Sequence, residues 1–277
     1  MQAGLYIVAT PIGNMGDMTE RAVNVMREAA VIACEDTRVT VKLLRHHALS
    51  TPMERYDEHN APRSRPKLLA RLSAGEIVAL VSDAGTPLIS DPGYKLVNEA
   101  IELGIPVIPI PGASSVMAAL MVSGLPTDRF MFAGFLPPKQ AKRRATLTEL
   151  AGIDTTLVLL ESPRRLADVL ADMALVLGTR QAVVAREMTK KFEEHRRGSL
   201  SELAGTYARE ETPKGEVVIV VGPPEGPQVV VDVEALLAAE LVDHSVKEAT
   251  ALVTAQTGLP RKEVYAKALI LNKARDT

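Results

Sequence analysis

Residues 77–103 read IVALVSDAGTPLISDPGYKLVNEAIEL, and this stretch decides the fold class. Ile77–Val81 is a nearly continuous apolar run of strand length, which is typical of a strand buried on both faces. Gly93–Leu103 carries its apolar residues at the spacing of one helix face and ends before Gly104. A buried strand, a loop and a helix in succession form the repeating unit of a parallel, helix-covered sheet.

The same alternation runs through the first 120 residues. Further buried strands are predicted at Leu5–Ala9, Val31–Cys34 and Val107–Ile110, and a helix at Asp17–Ala29. A Gly- and Pro-containing break at 124–128 then opens a second unit. Its predicted strands are Phe130–Gly134, Thr156–Leu160, Ala182–Arg186, Glu194–Gly198 and Glu216–Val221, and its predicted helices are Gln140–Leu150, Pro163–Leu177 and Leu200–Ala208. The short link Met188–Glu193 predicts an antiparallel pair and therefore a mixed sheet.

A second Pro-rich break at 222–227 precedes a helical tail. Its helices are predicted at Glu234–Leu241, after a capping Ser245, and after Leu259-Pro260, in a helix-turn-helix-like arrangement. We therefore predict an α/β protein with an N-terminal, mainly parallel domain at 1–123, a second, mixed-sheet domain at 124–223 and a small helical domain at 229–277. Residues 244–275 hold six Lys or Arg against two Glu, about +4, which favours either RNA contact or a packing and dimerisation role.

The amino-acid composition excludes several classes of protein. The chain has 277 residues with 47% hydrophobic and 24% charged residues, as expected for a folded protein and not a disordered one. No apolar run approaches a membrane span and no signal peptide is apparent, so we expect a cytoplasmic protein without membrane contact. One cysteine, Cys34, excludes an internal disulfide framework. A net charge of -2 and only 3% aromatic residues disfavour bulk attraction to nucleic acid and recognition mainly by base stacking.

Three loops follow predicted strands and carry the groups of a ligand site. They are Ala9–Gly16, Ser82–Gly93 and the segment 109–116 that contains Gly112-Ala-Ser-Ser115. In open parallel sheets, ligands bind beyond the carboxyl ends of the strands. Asp83 can accept hydrogen bonds from an amine or a ribose, whereas Asp91 is expected to cap the next helix. The G-x-G-x-x-G dinucleotide fingerprint and the phosphate-binding P-loop are both missing from the sequence.

The motifs, taken together, resemble those of a known family. VATPIGN (8–14), ACEDTR (33–38), DEHN (57–60), SDAGTPLISDPG (82–93), PGASS (111–115), LESPRR (160–165), REMTKKFEE (186–194) and KGEVVIVVG (214–222) occur in collinear order. The chain resembles the tetrapyrrole-methylase-like superfamily, and within it the 16S ribosomal RNA cytidine 2'-O-methyltransferases, whose branch carries a similar C-terminal tail. Tetrapyrrole-specific members have a GDP-type triplet where this chain has Ser82-Asp-Ala-Gly85, which weighs against a tetrapyrrole substrate.

The resemblance implies an S-adenosylmethionine-dependent enzyme without a metal. It implies a cofactor cleft between the two α/β domains, a homodimer, and methylation of cytidine 1402 in the decoding region of the small subunit. The implied cofactor contacts are Pro11, Asp83, Gly85, Thr86, Ser114, Ser115, Leu160, Gly215 and Glu216. Two alternatives stay open: a methylase of a small molecule such as a corrinoid or porphyrin, and a ligand-sensing nucleic-acid-binding regulator.

Charged motifs supply the remaining candidates. Glu58 and His59 are candidate proton acceptors, and Lys190 is a candidate for lowering the pKa of the hydroxyl or binding phosphate. The RNA-binding candidates are Arg38, Lys139, Lys142, Arg143, Arg144, Arg164, Arg165, Arg261, Lys262 and Lys267. Each also has a structural interpretation. Glu35 and Asp36 are candidate helix caps, His59 can satisfy a backbone carbonyl, and basic runs often form solvated helix faces.

Overall fold

The computed structural model describes residues 1–89, 93–224, 233–257 and 261–275. Contacts divide the chain into two compact units, Met1–Pro224 and Glu225–Thr277. Some predictions lie outside the described residues, namely the cap at Asp91 and the turn around Leu259-Pro260. Within the described ranges, no helix combines the length and apolar character needed to cross a membrane.

The first sheet is parallel throughout, as predicted. Its strands are β1 (Gly4–Val8), β2 (Val31–Cys34), β3 (Met53–Arg55), β4 (Ile77–Val81) and β5 (Val107–Ile110), in the order β3-β2-β4-β1-β5. The helices are α1 (Glu20–Glu28), α2 (Thr37–His46), α3 (Ala61–Ser73), α4 (Tyr94–Glu102) and α5 (Ser115–Ser123). Because all five strands run the same way, the loops that follow them leave from one edge of the sheet.

The second sheet is mixed, also as predicted. Its strands are β6 (Phe130–Phe135), β7 (Thr156–Glu161), β8 (Gln181–Arg186), β9 (Glu194–Ser199) and β10 (Val217–Val221), in the order β6-β7-β10-β8-β9. Strands β6 and β7 are parallel, while β10 is antiparallel to β7 and β8, and β8 is antiparallel to β9. The helices are α6 (Gln140–Ala151), α7 (Leu166–Leu177) and α8 (Leu200–Tyr207).

Helix α5 connects the two sheets. Its Val116, Ala119 and Leu120 are buried in one cluster with Val158 of β7 and Val218 of β10. The opposite face of the second sheet packs on α6, α7 and α8 in a separate core. One face of the second sheet therefore lies against elements that belong to the first half of the chain.

The described residues of the second compact unit form three helices, α9 (Val233–Glu240), α10 (Val246–Thr257) and α11 (Arg261–Arg275). They share a core that includes Leu237, Val253 and Val264. Ser245 caps α10 as predicted: its hydroxyl accepts from the Glu248 amide at 3.4 Å, and the Glu248 carboxylate accepts from the Ser245 amide at 3.0 Å.

The structure corrects several element predictions. The sequence pattern did not predict β3 or α3, because β3 is three residues long and α3 contains Pro66. The predicted helix Asp17–Ala29 is a 3-10 turn at Met15–Asp17 followed by α1, which begins after Thr19 because the Thr19 side chain caps it. The predicted helix Pro163–Leu177 likewise divides into a 3-10 turn at Pro163–Arg165 and α7.

Candidate functional site

The loops after β1, β4 and β5 are hydrogen-bonded to one another. The Thr10 amide donates to the Gly85 carbonyl at 2.9 Å, and the Gly85 amide donates to the Thr10 carbonyl at 3.1 Å. The Thr86 hydroxyl donates to the Ala113 carbonyl at 3.3 Å. The three predicted loops therefore form one connected edge of the site.

Gly85 is the tightest point of this junction. Its φ is +82°, in the left-handed region that favours glycine, and a Cβ at this position would lie 3.2 Å from Cγ2 of Ile12. A larger residue would separate the first loop from the loop after β4. The glycine therefore keeps both loops close enough to bound a cleft.

Two adjoining cavities open beside these loops. The wide cavity, of about 410 Å³, is lined by Ile12, Ala84, Ile89, Ser115, Phe135, Leu160, Glu161, Ser162, Pro163, Met188, Gly215, Glu216, Val217 and Val218. The narrow cavity, of about 210 Å³, is lined by Thr10, Pro11, Ile12, Gly13, Met15, Val39, Thr40, Leu43, Ser82, Asp83, Ala84, Lys190 and Glu216. They share Ile12, Ala84 and Glu216, so together they form one elongated cleft between the two sheets.

The nine residues predicted to contact a cofactor all lie at this cleft or in the loops that bound it. Pro11 and Asp83 line the narrow cavity; Ser115, Leu160 and Gly215 line the wide one; Glu216 lines both. Gly85 and Thr86 hold the loops together, and Ser114 caps α5 by accepting from the Met117 amide at 3.4 Å. The structure thus brings together residues that are up to 205 positions apart in the sequence, from Pro11 to Glu216.

Asp83 is the carboxylate of the narrow cavity. Its Oδ1 accepts from the Asp36 amide at 3.1 Å, and burial raises the pKa of its carboxyl above the usual value. Asp36 has a different role. Its side chain caps α2 and binds the Arg38 guanidinium at 2.6 Å, and the Arg38 hydrogen bonds lower the pKa of Asp36 to about 2. Only Asp83 of this acidic pair lines the cleft.

Lys190 lies against the narrow cavity in a cluster of charges. Its Nζ is 2.8 Å from Oε1 of Glu187 and 3.0 Å from Oε2 of Glu216, and the Glu216 amide also donates to Glu187. Burial lowers the pKa of Lys190, but the hydrogen bonds to Glu187 and Glu216 outweigh it and leave this pKa above the usual value. A raised pKa favours the charged form of Lys190, and a charged ammonium can stabilise negative charge but cannot accept a proton.

The backbone around Lys190 is strained. Glu187 and Thr189 adopt φ values of 51° and 66°, which side chains other than glycine rarely adopt. Such conformations persist where surrounding contacts hold them, and they concentrate at functional sites. Sequence reasoning singled out this motif for its charges but missed Glu187 itself, because nothing in a non-glycine residue signals a positive φ.

Glu58 and His59 lie elsewhere, in the loop after β3. His59 is exposed, and its backbone amide donates to Oδ1 of Asp57 at 2.9 Å. Glu58 lines a separate cavity of about 330 Å³ together with Tyr56, Arg65 and other residues. Within the described part of the chain, neither candidate base lines the two-cavity cleft.

Arg143, one of the RNA-binding candidates, is buried in an ion pair and not exposed to solvent as a basic helix face would be. It is 5% exposed, and its Nη2 lies 2.6 Å from Oδ2 of Asp172. Arg144 binds the other oxygen of the same carboxylate at 2.6 Å, and Arg165 donates to the Leu136 carbonyl at 2.7 Å. These arginines stabilise contacts within the second half of the first unit.

The other basic candidates are presented to solvent. Lys139 and Lys142 lie at the start of α6, and Arg164 lies in the 3-10 turn after β7; all three are exposed. In the tail, the exposed candidates are Arg261, Lys262 and Lys267. Arg261 and Lys262 line an open groove with Lys247 and Tyr265.

Family comparisons agree with this architecture. Residues 4–204 match the family model of the Tetrapyrrole (Corrin/Porphyrin) Methylases, and residues 228–272 match the RsmI C-terminal HTH domain. Two solved structures share the fold. A cobalt precorrin-4 methyltransferase of cobalamin biosynthesis has a TM-score of 0.58 at 19% identity and covers 79% of this chain and 94% of its own. A Thermus thermophilus uroporphyrin-III C-methyl transferase complexed with S-adenyl homocysteine has a TM-score of 0.53 at 21% identity and covers 78% and 96%. The fold is therefore that of the tetrapyrrole methylase class.

Relatives of higher sequence identity show which family of this class the chain belongs to. A ribosomal RNA small subunit methyltransferase I from Mesorhizobium japonicum is 47% identical over 98% of this chain and 93% of its own length. A protein of the same name from Halalkalibacterium halodurans is 47% identical over 94% of this chain and 93% of its own. The chain belongs to the ribosomal RNA small subunit methyltransferase I family.

Proposed function

We propose that this chain transfers a methyl group from S-adenosylmethionine to the 2'-oxygen of a cytidine in 16S ribosomal RNA. The observation that carries the proposal is the two-cavity cleft at the carboxyl edge of the parallel sheet, in a chain whose relatives are small-subunit ribosomal RNA methyltransferases. A cytoplasmic homodimer is part of the same proposal. The resemblance of the quoted motifs to cytidine 2'-O-methyltransferases supports the choice of acceptor.

The cleft suits a long molecule with a charged end and a flat ring. The wide cavity combines apolar side chains with the hydroxyls of Ser115 and Ser162 and the carboxylates of Glu161 and Glu216. Its volume of about 410 Å³ falls within the usual range for small-ligand sites. A Cβ at Gly85 would lie 3.2 Å from Cγ2 of Ile12, which lines both cavities, so the glycine keeps the loop after β4 close to the wall of the cleft. When bound, S-adenosylmethionine supplies an electrophilic methyl group on a sulfonium.

The residues of the chain supply binding and alignment. In the proposal, Asp83 accepts hydrogen bonds from the amine or a ribose hydroxyl of the cofactor, and Ser115 and the backbone at Gly215 border the rest. Orienting the 2'-oxygen in line with the methyl carbon contributes about 7–11 kcal/mol to lowering such a barrier. Lys190, a cation beside the cleft, stabilises negative charge on the attacking oxygen or a nearby phosphate. Glu58 and His59, the candidate bases, line neither cavity, so either would have to come within hydrogen-bond reach of the 2'-hydroxyl in the RNA complex to take its proton.

Asp83→Asn tests the assignment of the cleft. Asparagine keeps an oxygen that can accept from the Asp36 amide but removes the charge, so we expect the loop to stay intact and the affinity for S-adenosylhomocysteine to fall about 10- to 150-fold, the cost of a charged hydrogen bond. Titration calorimetry measures the affinity and thermal unfolding checks the fold. Asp128→Asn, outside the residues that line either cavity, is the matched control. An unchanged dissociation constant for Asp83→Asn would show that the cofactor binds elsewhere.

Incubation with tritiated S-adenosylmethionine distinguishes the proposed function from its alternatives. We expect label in the 16S RNA of small subunits, with the full chain more active than residues 1–224 because the tail is proposed to contact RNA. Label in a corrin or porphyrin and none in RNA would favour a small-molecule methylase. Cofactor binding without transfer to any of these acceptors would favour a ligand-sensing regulator.

A further inference from the structure

One of the chain's few aromatic rings is exposed in the wide cavity. The chain has four Phe, five Tyr and no Trp. Phe135, at the end of β6, is 57% exposed and lines the wide cavity with Leu160 and Pro163. Burying a Phe side chain stabilises a fold by about 1.5–3 kcal/mol, so leaving this ring in solvent forgoes a substantial stabilisation.

A β-bulge turns this ring toward the cavity. In the pairing with β7, Phe132 lies opposite Val158, Gly134 opposite Leu159 and Phe135 opposite Leu160, so that Ala133 has no partner. Side chains three residues apart face opposite sides of a regular strand. The extra residue, together with a φ of +65° at Gly134, places Phe132 and Phe135 on the same face.

The burial of the neighbouring residues agrees with this geometry. Phe132 packs against the cluster that contains α5, whereas Ala133 and Leu136 pack against the core on the other face of the sheet. Without the bulge, Phe135 would turn toward the core formed with α6 and α7. Bulges of this kind are common next to active sites, where they change the direction of a side chain.

Three exposed basic residues lie in the segments that follow β6 and β7, whereas the charged residues that line the cavity itself are Glu161 and Glu216. Strands β6 and β7 are parallel neighbours, so the segments that follow them begin at the same edge. Lys139 and Lys142 follow β6, Arg164 follows β7, and all three are exposed without an ion pair to any described residue. Aromatic rings on which bases stack, combined with basic side chains that contact the phosphates, are the usual means of binding single-stranded nucleic acid.

We propose that Phe135 is the platform on which a base of the RNA substrate stacks, while Lys139, Lys142 and Arg164 hold the adjoining phosphates. This inference rests on the proposed function and extends it to the substrate side of the cleft. Stacking accepts any base, so the ring holds the nucleotide in place and does not select its identity. A low aromatic content argued against recognition based mainly on stacking, but one correctly placed ring is enough for one base.

Replacing Phe135 tests the platform. Stacking contributes about 1–3 kcal/mol per base, so we expect Phe135→Ala to raise the KM for small subunits about 5- to 150-fold. Phe135→Tyr should restore the KM and Phe135→Leu should not, since leucine keeps apolar surface but has no ring. Phe130→Ala is the matched control, because Phe130 is 41% exposed on the same strand but lines a different cavity. Because Phe135 lines the cavity that the proposed function gives to the cofactor, calorimetry measures the affinity for S-adenosylhomocysteine in the same four variants, and this affinity should fall less than the KM for subunits rises.

Several outcomes would overturn the inference, and they are distinguishable. If the wild-type protein labels RNA and Phe135→Ala has the KM of Phe130→Ala, only the platform is wrong. If Phe135→Leu restored the KM for subunits as fully as Phe135→Tyr, the side chain would make an apolar contact and no base would stack on it. A loss of cofactor affinity in Phe135→Ala with an unchanged KM for subunits would assign the ring to the adenine. If the wild-type protein transfers no label to RNA, the proposed function fails and the platform fails with it.

Discussion

We expect Asp172→Ala to lower the free energy of unfolding by about 3–5 kcal/mol, the usual effect of removing one partner from a buried ion pair. The Asp172 carboxylate binds Arg143 at 2.6 Å through one oxygen and Arg144 at 2.6 Å through the other. Arg143 is itself buried, so the substitution leaves a guanidinium without its counter-ion in a core between α6 and α7. Urea unfolding followed by circular dichroism measures the change.

Two further variants make this expectation specific. Asp168→Ala removes an exposed aspartate from the first turn of the same helix and should cost less than about 1 kcal/mol. Arg143→Met combined with Asp172→Leu should recover most of the loss, because replacing both partners of a buried pair by apolar residues is often neutral. Equal stabilities for Asp172→Ala and Asp168→Ala would contradict the structural role given to Arg143 and reopen its assignment to RNA.

The lowered pKa of the Asp172 carboxyl makes the stability of the protein depend on pH. Burial raises the pKa of Asp172, but the hydrogen bonds from Arg144 and Arg143 outweigh it and lower the pKa below the usual value. A carboxyl with a depressed pKa in the folded state stabilises the protein above its unfolded pKa. The stability difference between wild type and Asp172→Ala should therefore be full at neutral pH and shrink as the pH falls below about 4 toward the folded pKa.

Gly215→Ala is expected to lower kcat/KM for RNA methylation about 100-fold. Gly215 has a φ of +100°, and a Cβ there would overlap the carboxylate of Glu187. That carboxylate accepts from Nζ of Lys190 at 2.8 Å and from the Glu216 amide at 3.0 Å, so displacing it moves the cation and the wall of the cleft together. A displacement of about 1 Å at a catalytic site is enough for a loss of this size.

Gly178→Ala is the control that separates the loss of activity in Gly215→Ala from the effect of backbone strain. Gly178 also has a positive φ, +74°, but no atom lies within 4 Å of its Cβ position. Both alanine variants should lose stability in thermal unfolding, Gly215→Ala at least as much as Gly178→Ala, whereas only Gly215→Ala should lose activity with small subunits. Wild-type kcat/KM in Gly215→Ala would show that the charged cluster around Lys190 has no part in the reaction.

Much of the fold could be predicted because its strands are short, apolar and buried. Val31–Cys34 and Ile77–Val81 have the predicted bounds, since a strand covered on both faces needs apolar residues along its whole length. Val107–Ile110 also has its predicted bounds, although it is an edge strand with Pro109 exposed. The two sheets follow from the same pattern. By contrast, β3 at the edge of its sheet is too short and polar to produce such a signal.

The candidate site was predictable in part. Polar loops at strand ends identified Asp83 and Ser115 because their position follows from parallel topology. The role of Glu187 depends on a positive φ that no sequence pattern reveals, and the exposure of Phe135 depends on a bulge. The burial of Arg143 was missed for a similar reason. Its partner, Asp172, lies 29 residues away on another helix, and a basic run indicates charge but not pairing.

The most direct test of the account is nucleoside analysis of 16S RNA from small subunits that lack the modification. After incubation with the protein and S-adenosylmethionine, nuclease digestion and mass spectrometry should detect one 2'-O-methylcytidine per RNA, in the decoding region, and far less with Asp83→Asn. A methyl group on a base, on another ribose or on no nucleoside at all would contradict the proposed reaction.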